Sequence, residues 1–209
     1  MRYDVDTVAQ QDSDEVARAV VSVRRLTAAV AAARSDMPGL SALASRIHAL
    51  ADDLEARSCS AAERVNQMNT IGRIVRYSPV VGSVNVLAAP LHLRHIGDGN
   101  EGTVTFSVAH QGSLGVVHEG FAAMVLDVAL AEANMAAGVP AMTAGLMLRY
   151  HHPMPVCCDL TVRAWHVYVD GRKSWCRGEI WWEHDLCVSA EGLFIVPREG
   201  GARGQDRQG

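Results

Sequence analysis

The stretch that decides the fold is GVVHEGFAAMVLDVALAEANMAAG, residues 115–138. Over residues 121–131 every position is apolar except Asp127. A helix that is apolar on all sides is a buried helix, and Gly138 and Pro140 supply a glycine cap and a proline stop at its end. We therefore predict a buried helix over residues 117–137. Its single carboxylate must find a partner, face a wet cleft, or emerge from the packed face into solvent.

Strand-like segments lie on both sides of this helix. Residues 91–95 and 103–108 precede it and flank GDGNEG, in which Asp98-Gly99 predicts a hairpin turn. Residues 143–151, 160–169, 173–183 and 187–196 follow it, with tight turns expected at Asp170-Gly171 and His184-Asp185. Strands in runs with a single helix favour an α+β fold in which one antiparallel sheet packs on that helix.

The N-terminal third of the chain has a helical pattern instead. Apolar residues recur at three- and four-residue steps from position 16 to position 33, and a second apolar stripe runs through residues 40–56. A third, shorter helix is predicted over residues 61–73. The sequence thus divides into a helical extension (1–76) that packs on the main domain or on a partner subunit, a main domain (77–198), and a tail (199–209) without large apolar residues that we expect to be disordered.

Composition and charge exclude several classes of function. The 209 residues are 49% apolar and 20% charged, with a net charge of −4, so nothing attracts nucleic acid. No apolar run approaches the roughly 20 residues needed to cross a membrane. The acidic start lacks the features of a secretory signal, and five cysteines without a C-x-x-C pair suggest neither disulfides nor zinc. We expect a cytoplasmic protein.

His118 and Asp127 mark the two ends of the candidate site. They are nine residues apart, so in a helix they point to opposite faces and lie about 13 Å apart along the axis. One chain cannot easily bring both to one substrate atom, whereas two chains can if their helices pair. Free N–H groups at the helix start would then bind a developing oxyanion, and Asp127 of the other chain would act as base or nucleophile.

These residues resemble a known family. A strand pair, the motif G-x-V-H-x-G, a buried helix with Asp nine residues after the His, and Thr on the next strand are similar to the hotdog-fold acyl-CoA thioesterases of the phenylacetic-acid-degradation (PaaI-like) type. The resemblance covers residues 84–197 and matches the family's motif at four positions: His118, Gly120, Asp127 and Thr143. It implies a hotdog fold, in which an antiparallel sheet wraps around one central helix, here with an N-terminal helical extension.

The resemblance also implies an activity and roles for the site residues. The activity is hydrolysis of acyl-CoA thioesters without a cofactor or metal, in a homodimer or a dimer of dimers (a homotetramer) with shared sites. Asp127 is expected to be base or nucleophile, the N–H groups of Glu119 and Gly120 to hold the oxyanion, and Thr143 to position water or Asp127. His118 is expected on the substrate-binding loop, where it orients the helix start.

Position 119 departs from the family's pattern, because Glu stands where Gly is usual. Glu119 keeps its backbone N–H, but a side chain there can obstruct close approach to the substrate. Two alternatives therefore stay open: a catalytically weak or inactive hotdog module that binds acyl-CoA or a protein partner, or Glu119 acting as the base. Elsewhere, Glu132 and Asn134 near the end of the helix are expected to be solvated. His151 and His152 are adjacent on a strand and point to opposite faces, which argues against a shared metal ion.

Overall fold

The computed structural model describes residues 15–60, 62–63 and 76–198. Two helices come first, α1 (Glu15–Ala31) and α2 (Leu40–Glu55), followed by β1 (His92–Ile96) and β2 (Gly99–Thr105). A 3-10 turn (Val108–His110) and a short ribbon of β3 (Gln111–Ser113) and β4 (Val116–Val117) lead into α3 (Glu119–Ala136). Four long strands complete this part of the chain: β5 (Met142–Tyr150), β6 (Asp159–Asp170), β7 (Lys173–Trp182) and β8 (Asp185–Ile195).

Six strands form one antiparallel sheet in the order β1-β2-β6-β7-β8-β5. The sheet is wrapped around α3, which contacts β2, β5, β6, β7 and β8. This is the predicted α+β architecture of one antiparallel sheet around one central helix. Both β2 and β5 contact α3, and β6, β7 and β8 separate these two strands in the sheet.

The core lies between α3 and the inner face of the sheet. On the helix, residues such as Leu126 and Leu130 are completely buried. The sheet comes close to them because it carries glycine beneath: a Cβ on Gly178 would lie 3.1 Å from Leu126 Cδ2, and one on Gly192 would lie 3.1 Å from Leu130 Cδ1. Seven residues of α3 are buried, and since burial scales at roughly 25 cal/mol per Å² of apolar surface, this face of the helix is a large contributor to the stability of the fold.

The hairpin turns are each displaced by one residue from the predicted positions. Ile96 pairs with Gly99, so the first turn is Gly97-Asp98, with Gly97 at φ +58°. A Cβ on Gly99 would lie 2.2 Å from the carbonyl oxygen of Ala164, so this strand position has no room for a side chain. The other turns are Gly171-Arg172 and Glu183-His184. The strand predicted over residues 103–108 accordingly lies earlier, at Gly99–Thr105.

Two further expectations are corrected by the structure. The central helix begins at Glu119 and not at residue 117, because Val116 and Val117 pair with β3. Asn134 is fully buried and not solvated. Its Oδ1 accepts a hydrogen bond from Ser174 Oγ at 2.5 Å, and its Nδ2 donates to the carbonyl of Val139 at 2.8 Å. Glu132 is half-buried, and this burial raises the pKa of its carboxyl group.

The N-terminal helices differ in how closely they pack. Val20 of α1 is buried, and the guanidinium of Arg24 donates to the carbonyls of Gly82 at 2.8 Å and Asn85 at 2.6 Å. These bonds attach α1 to the connector that precedes β1. No residue of α2 is buried. The third predicted helix (61–73) and the predicted tail (199–209) lie outside the described residues apart from positions 62 and 63, so the division at residues 76 and 198 stays a prediction.

Candidate active site

The first turn of α3 is held in place from both sides. The N–H of Val117 donates to the carbonyl of Met154 at 2.9 Å, and the N–H of His118 donates to the carbonyl of His110 at 2.9 Å. His118 is the N-cap residue, with extended backbone at φ −65° and ψ 134°. The chain therefore enters the helix along a path fixed by backbone hydrogen bonds on neighbouring segments.

The imidazole of His118 caps the helix. Its Nδ1 accepts a hydrogen bond from the N–H of Gly120 at 3.0 Å. The absence of a side chain at Gly120 makes room for this contact, since a Cβ there would lie 3.2 Å from Nδ1. On the other side, a Cβ on Gly112 would lie 2.9 Å from the Cα of His118. His118 thus fits closely between two glycines and occupies one of the four orphan N–H groups of the helix.

The N–H of Glu119 is the donor that remains at the helix start. Among the residues that the structure describes, it has no hydrogen-bond acceptor. The side chain of Glu119 is exposed. An unpaired N–H at the start of an 18-residue helix is directed along the positive end of the helix dipole, where negative charge is stabilised. The expected oxyanion contact is therefore available from Glu119, whereas the N–H of Gly120 is already engaged.

An aromatic cluster supports this turn from below. The ring of His110 meets the ring of Phe121 edge-on at a centroid distance of 4.7 Å and that of Phe106 at 5.4 Å. Its Nδ1 lies 3.1 Å from the N–H of Ser107. Burial lowers the pKa of His110, the hydrogen bond to the backbone carbonyl of Ser107 opposes this shift, and the charge of Arg24 lowers the pKa further. A neutral His110 is therefore part of the packing that fixes the helix start.

Asp127 and Thr143 come together at the middle of the helix. Thr143 Oγ1, at the start of β5, donates a hydrogen bond to Asp127 Oδ1 at 2.9 Å. Asp127 is half-buried and Thr143 is exposed. The one carboxylate in the apolar body of α3 thus has a hydroxyl partner and remains accessible. Of the alternatives left open by the sequence, this arrangement corresponds to a carboxylate that has found a hydrogen-bonding partner.

Tyr150 is a site-proximal residue that the sequence analysis missed. Its hydroxyl, at the end of β5, donates to the carbonyl oxygen of Glu119 at 3.3 Å. Burial raises the pKa of Tyr150, and the nearby carboxylate of Glu119 raises it further, so the phenol keeps its proton. The sequence feature that could have identified Tyr150 is an aromatic residue on the same predicted strand as Thr143, seven positions later.

The two halves of the site lie apart within one chain. Glu119 and Asp127 are eight residues apart on α3, which corresponds to about 12 Å along the axis. His118, Glu119, Gly120 and Tyr150 cluster at the helix start, and Asp127 and Thr143 lie at its middle. A single thioester carbonyl cannot contact both groups at once in one chain.

The described residues hold no cluster of His, Cys, Asp and Glu side chains suited to a metal ion. The His151 ring is instead 2.9 Å from Ser189 Oγ. None of the described helices has the length and apolarity needed to cross a membrane.

Comparison with known proteins identifies the family. The model of the thioesterase superfamily matches residues 114–189. The crystal structure of a thioesterase superfamily protein is 35% identical, covers 88% of this chain and 96% of its own, and superposes with a TM-score of 0.76. The chain therefore belongs to the thioesterase superfamily, and its fold is the hotdog fold predicted from the resemblance. Because residues 77–198 are only 122 of the 209 residues, a match over 88% also includes much of the N-terminal extension.

More distant structures each match about half of the chain. The phenylacetic acid degradation protein PaaI from Thermus thermophilus, solved as a point mutant, is 23% identical over 51% of this chain and 93% of its own, with a TM-score of 0.48. A hypothetical thioesterase with coenzyme A from Streptococcus pneumoniae is 16% identical over 51% of this chain and 85% of its own, also with a TM-score of 0.48. No curated protein matches the chain.

Proposed function

We propose that this protein hydrolyses acyl-CoA thioesters to the free acid and coenzyme A. The observation that carries the proposal is the 2.9 Å hydrogen bond between Thr143 Oγ1 and Asp127 Oδ1, on a helix whose start offers the N–H of Glu119. Membership of the thioesterase superfamily supports thioester hydrolysis in general. Coenzyme A as the thiol, and the roles of the individual residues, are the parts that we add.

The reaction needs a base and an oxyanion donor. Asp127 takes a proton from water as the water oxygen attacks the thioester carbonyl carbon, and the electron pair of the carbonyl moves to its oxygen. The N–H of Glu119 holds that oxygen through the tetrahedral stage. When the electron pair on that oxygen re-forms the carbonyl double bond, the carbon–sulfur bond breaks. The departing thiolate then receives the proton that Asp127 had taken. Thr143 orients Asp127 throughout. In the alternative form of this scheme, Asp127 attacks the carbonyl carbon directly as a nucleophile.

The proposal requires two chains. Because Glu119 and Asp127 of one chain are separated by about 12 Å along the helix, each site takes the helix start from one chain and Asp127 from its partner. We therefore propose a homodimer with two shared sites, which can assemble further into a dimer of dimers. The proposal also includes a cytoplasmic location and a reaction that requires neither a cofactor nor a metal ion.

The decisive experiment is a substrate screen. Acyl-CoAs with short, long and aromatic acyl groups are incubated with the purified protein, and free thiol is measured as it forms. The matched variant Asp127→Asn, purified identically, measures the background. Thiol release that depends on Asp127 supports the proposal, whereas equal release from both preparations, or none with any substrate, contradicts it.

One observation favours a second function. Glu119 occupies the position at which the family that this chain resembles usually has glycine, and its carboxylate is on the same residue as the proposed oxyanion donor, the Glu119 N–H. A module that binds acyl-CoA without hydrolysing it would show saturable binding in calorimetry and no thiol release with the same substrates. That pair of results would replace hydrolysis by binding as the function.

A mixing experiment tests the shared sites. Glu119→Pro removes the proposed oxyanion N–H at the first helical position, where proline is well tolerated. Heterodimers of a Glu119→Pro chain and an Asp127→Asn chain, purified through two different tags, contain one intact site and one doubly impaired site. We expect each variant alone to be inactive and the heterodimer to regain about half of the parental activity per dimer. Inactive heterodimers of the correct mass would contradict the shared-site arrangement.

A further inference from the structure

Two adjacent free cysteines lie in the loop between β5 and β6. Cys157 is exposed, and Cys158 is partly exposed. Cys176 and Cys187 are buried, and because burial raises the pKa of both thiols, their reactive thiolate form is disfavoured. Cys59 is exposed but has no cysteine beside it in the chain. Cys157 and Cys158 are therefore two accessible thiols held next to each other.

The backbone of Cys157 is left-handed, with φ +62°. Glycine adopts this conformation readily, whereas a residue with a Cβ does so at a cost in free energy. Among the described residues one other non-glycine residue has a positive φ, Glu183, which lies in the hairpin turn between β7 and β8. No hairpin accounts for Cys157, because β5 and β6 are not neighbours in the sheet. Its conformation is imposed by the contacts around it.

The loop that carries the two cysteines is bonded to the segments that lead into α3. Three backbone hydrogen bonds join them: from the N–H of Cys157 to the carbonyl of Phe106 at 2.6 Å, from Val156 to Gly115 at 3.0 Å, and from Val117 to Met154 at 2.9 Å. Phe106 is completely buried, and its ring packs against that of Phe121 on α3 at a centroid distance of 6.0 Å. The path of the chain into α3 therefore depends on the backbone of this loop.

The cysteine pair is also fixed on its other side. Asp159 begins β6 and pairs with Thr105 of β2, and the hydroxyl of Thr105 donates a hydrogen bond to the Asp159 carboxylate. Cys157 is bonded to Phe106, the residue after Thr105. Because both flanks are attached to consecutive residues, the backbone at Cys157 and Cys158 has no slack. A change of conformation there breaks at least one of these bonds.

A disulfide between neighbouring cysteines requires such a change. Cα atoms joined by a trans peptide are about 3.8 Å apart, which is shorter than the roughly 4.4–6.8 Å that an ordinary disulfide spans. Closing the ring therefore distorts the backbone at both residues. A strained, exposed disulfide is easily reduced, which is the property of a regulatory bond and not of a structural one. In reducing compartments, disulfides are usually of this transient kind.

We propose that Cys157 and Cys158 are a redox-sensitive dithiol, which a hydroperoxide converts to a disulfide within the loop. Ring closure breaks the hydrogen bond between Cys157 and Phe106 and loosens the path of the chain into α3. The redox step is independent of the proposed hydrolysis. Its effect on catalysis, through the position of the Glu119 N–H, rests on that proposed function.

The oxidation consumes one peroxide and releases two waters. The thiolate of Cys157, the more exposed of the two, attacks one oxygen of hydrogen peroxide. The O–O bond breaks, hydroxide leaves, and Cys157 becomes a sulfenic acid. The thiolate of Cys158 then attacks the sulfur of Cys157, the S–S bond forms, and a second hydroxide leaves. The two hydroxides take up the two thiol protons, so the sulfurs lose two electrons in all and the peroxide gains them. A dithiol reductant returns two electrons and two protons to the pair.

Peptide mass mapping of the full chain tests the bond. Trypsin cleaves after Arg149 and Arg163 and leaves both cysteines in one peptide that contains no others. After treatment with hydrogen peroxide and then an alkylating reagent, we expect this peptide to be unalkylated and lighter by two hydrogen atoms. Dithiothreitol before alkylation should restore the doubly alkylated form. Cys59→Ser, the control at an exposed single cysteine, should give the same result as the parental chain.

Other products would overturn the proposal. These are a peptide that stays doubly alkylated, one that carries added oxygen at its cysteines, or one joined by a disulfide to a second chain. Cys157→Ser and Cys158→Ser each leave one thiol, so the lighter peptide must be missing from both. Should either serine variant fail to fold, Cys157→Gly serves in its place, because glycine suits φ +62°.

Amide hydrogen exchange tests the effect on the lead-in to α3 without any substrate. The N–H groups of Val117, Val156 and Cys157 are all bonded in the reduced chain. In the oxidised chain, we expect the peptides that cover residues 106–118 and 154–158 to exchange at least about tenfold faster. Peptides from the buried middle of α3 should be unchanged. An oxidised chain that exchanges as slowly as the reduced one over residues 115–118 would contradict the coupling between the dithiol and the helix start.

Turnover completes the test. After removal of the reagents, kcat for acyl-CoA hydrolysis should be at least about tenfold lower in the oxidised parental chain, because displaced catalytic groups lose rate steeply, and dithiothreitol should restore it. Cys157→Gly cannot form the ring and should keep parental kcat after peroxide. An equal loss in Cys157→Gly would mean that oxidation elsewhere causes the effect. If the reduced parental chain hydrolyses no acyl-CoA, the proposed function fails, and mass and exchange still decide whether the dithiol is a switch.

Discussion

The imidazole Nδ1 of His118 accepts a hydrogen bond from the N–H of Gly120 at 3.0 Å, and this bond determines which backbone N–H at the start of α3 is left to bind a substrate oxygen. A group that is already bonded cannot also hold an oxyanion without losing its first partner. The N–H of Glu119 is therefore the donor to test, and it can be removed without changing the cap, because the backbone of the preceding His118 is extended as a residue before proline prefers.

Substitutions at Glu119 separate its backbone from its side chain. Glu119→Pro deletes the N–H and should lower kcat by about 10²–10³, the usual effect of losing one oxyanion donor. Glu119→Gly and Glu119→Ala keep the N–H and should leave kcat close to the parental value, because the carboxylate is exposed. Thiol release at saturating acyl-CoA measures all three. A faster Glu119→Gly variant would mean that the side chain obstructs the site, and a severely impaired one would mean that Glu119 takes part in the chemistry.

Asp127 is the proposed base. Asp127→Asn keeps the shape of the side chain but cannot accept a proton, so kcat should fall by at least about 10². The matched control is Glu132→Gln, the same change at a half-buried carboxyl group five residues further along α3, and it should retain parental kcat. Since burial raises the pKa of Glu132, its charge opposes folding near neutral pH, and Glu132→Gln should also unfold at slightly higher urea. Parental turnover by the Asp127→Asn variant would remove Asp127 from the mechanism.

Thr143 should act through its hydroxyl. Thr143→Val removes the bond to Asp127 Oδ1 and keeps the branched shape that suits a strand. Losing a hydrogen bond to a charged group costs roughly 1.5–3 kcal/mol, so kcat/KM should fall by about tenfold to a hundredfold. Thr143→Ser keeps the hydroxyl and should retain most of the activity. If both variants were equally impaired, packing at the start of β5 would explain the loss better than the hydrogen bond.

The sequence predicted the helix, its carboxylate and the antiparallel sheet because these depend on periodicity and local composition. The buried helix differs from its predicted span by two residues at the start and one at the end. The turns were displaced by one residue because strand register is set by packing across the sheet, as at Gly99 against Ala164. No local pattern contains that contact, which joins residues 65 positions apart.

Tyr150 and Asn134 were missed for related reasons. Counting alternate residues places Tyr150 on the face opposite Thr143, and only the extra residue at Ala144 returns it to the helix side. Asn134 near the end of a helix is ordinarily a solvated residue. Its burial depends on Ser174, forty residues later, which supplies a hydroxyl to its amide oxygen. In both cases the deciding contact is non-local.

The thiol of Cys176 gives a prediction for alkaline pH. Cys176 Sγ lies 3.7 Å from Asn134 Oδ1, and burial raises the pKa of its thiol from 9.0 to about 11. Between these pH values the unfolded chain has lost the proton and the folded chain retains it. The free energy of unfolding should therefore fall as pH rises from about 9 to about 11, by at most about 1.4 kcal/mol per pH unit from this group.

Urea unfolding of the parental chain, Cys176→Ala and Cys59→Ala at pH 8, 9 and 10 measures this effect. Cys176→Ala should be less stable at pH 8 because it loses buried volume, and its stability should decline less between pH 9 and pH 10 than that of the parental chain. Some decline should remain, since burial also raises the pKa of Cys187. Cys59 is exposed, so Cys59→Ala should follow the parental curve. If the free energy of unfolding fell equally with pH in all three proteins, the pKa of Cys176 would not be raised in the folded chain.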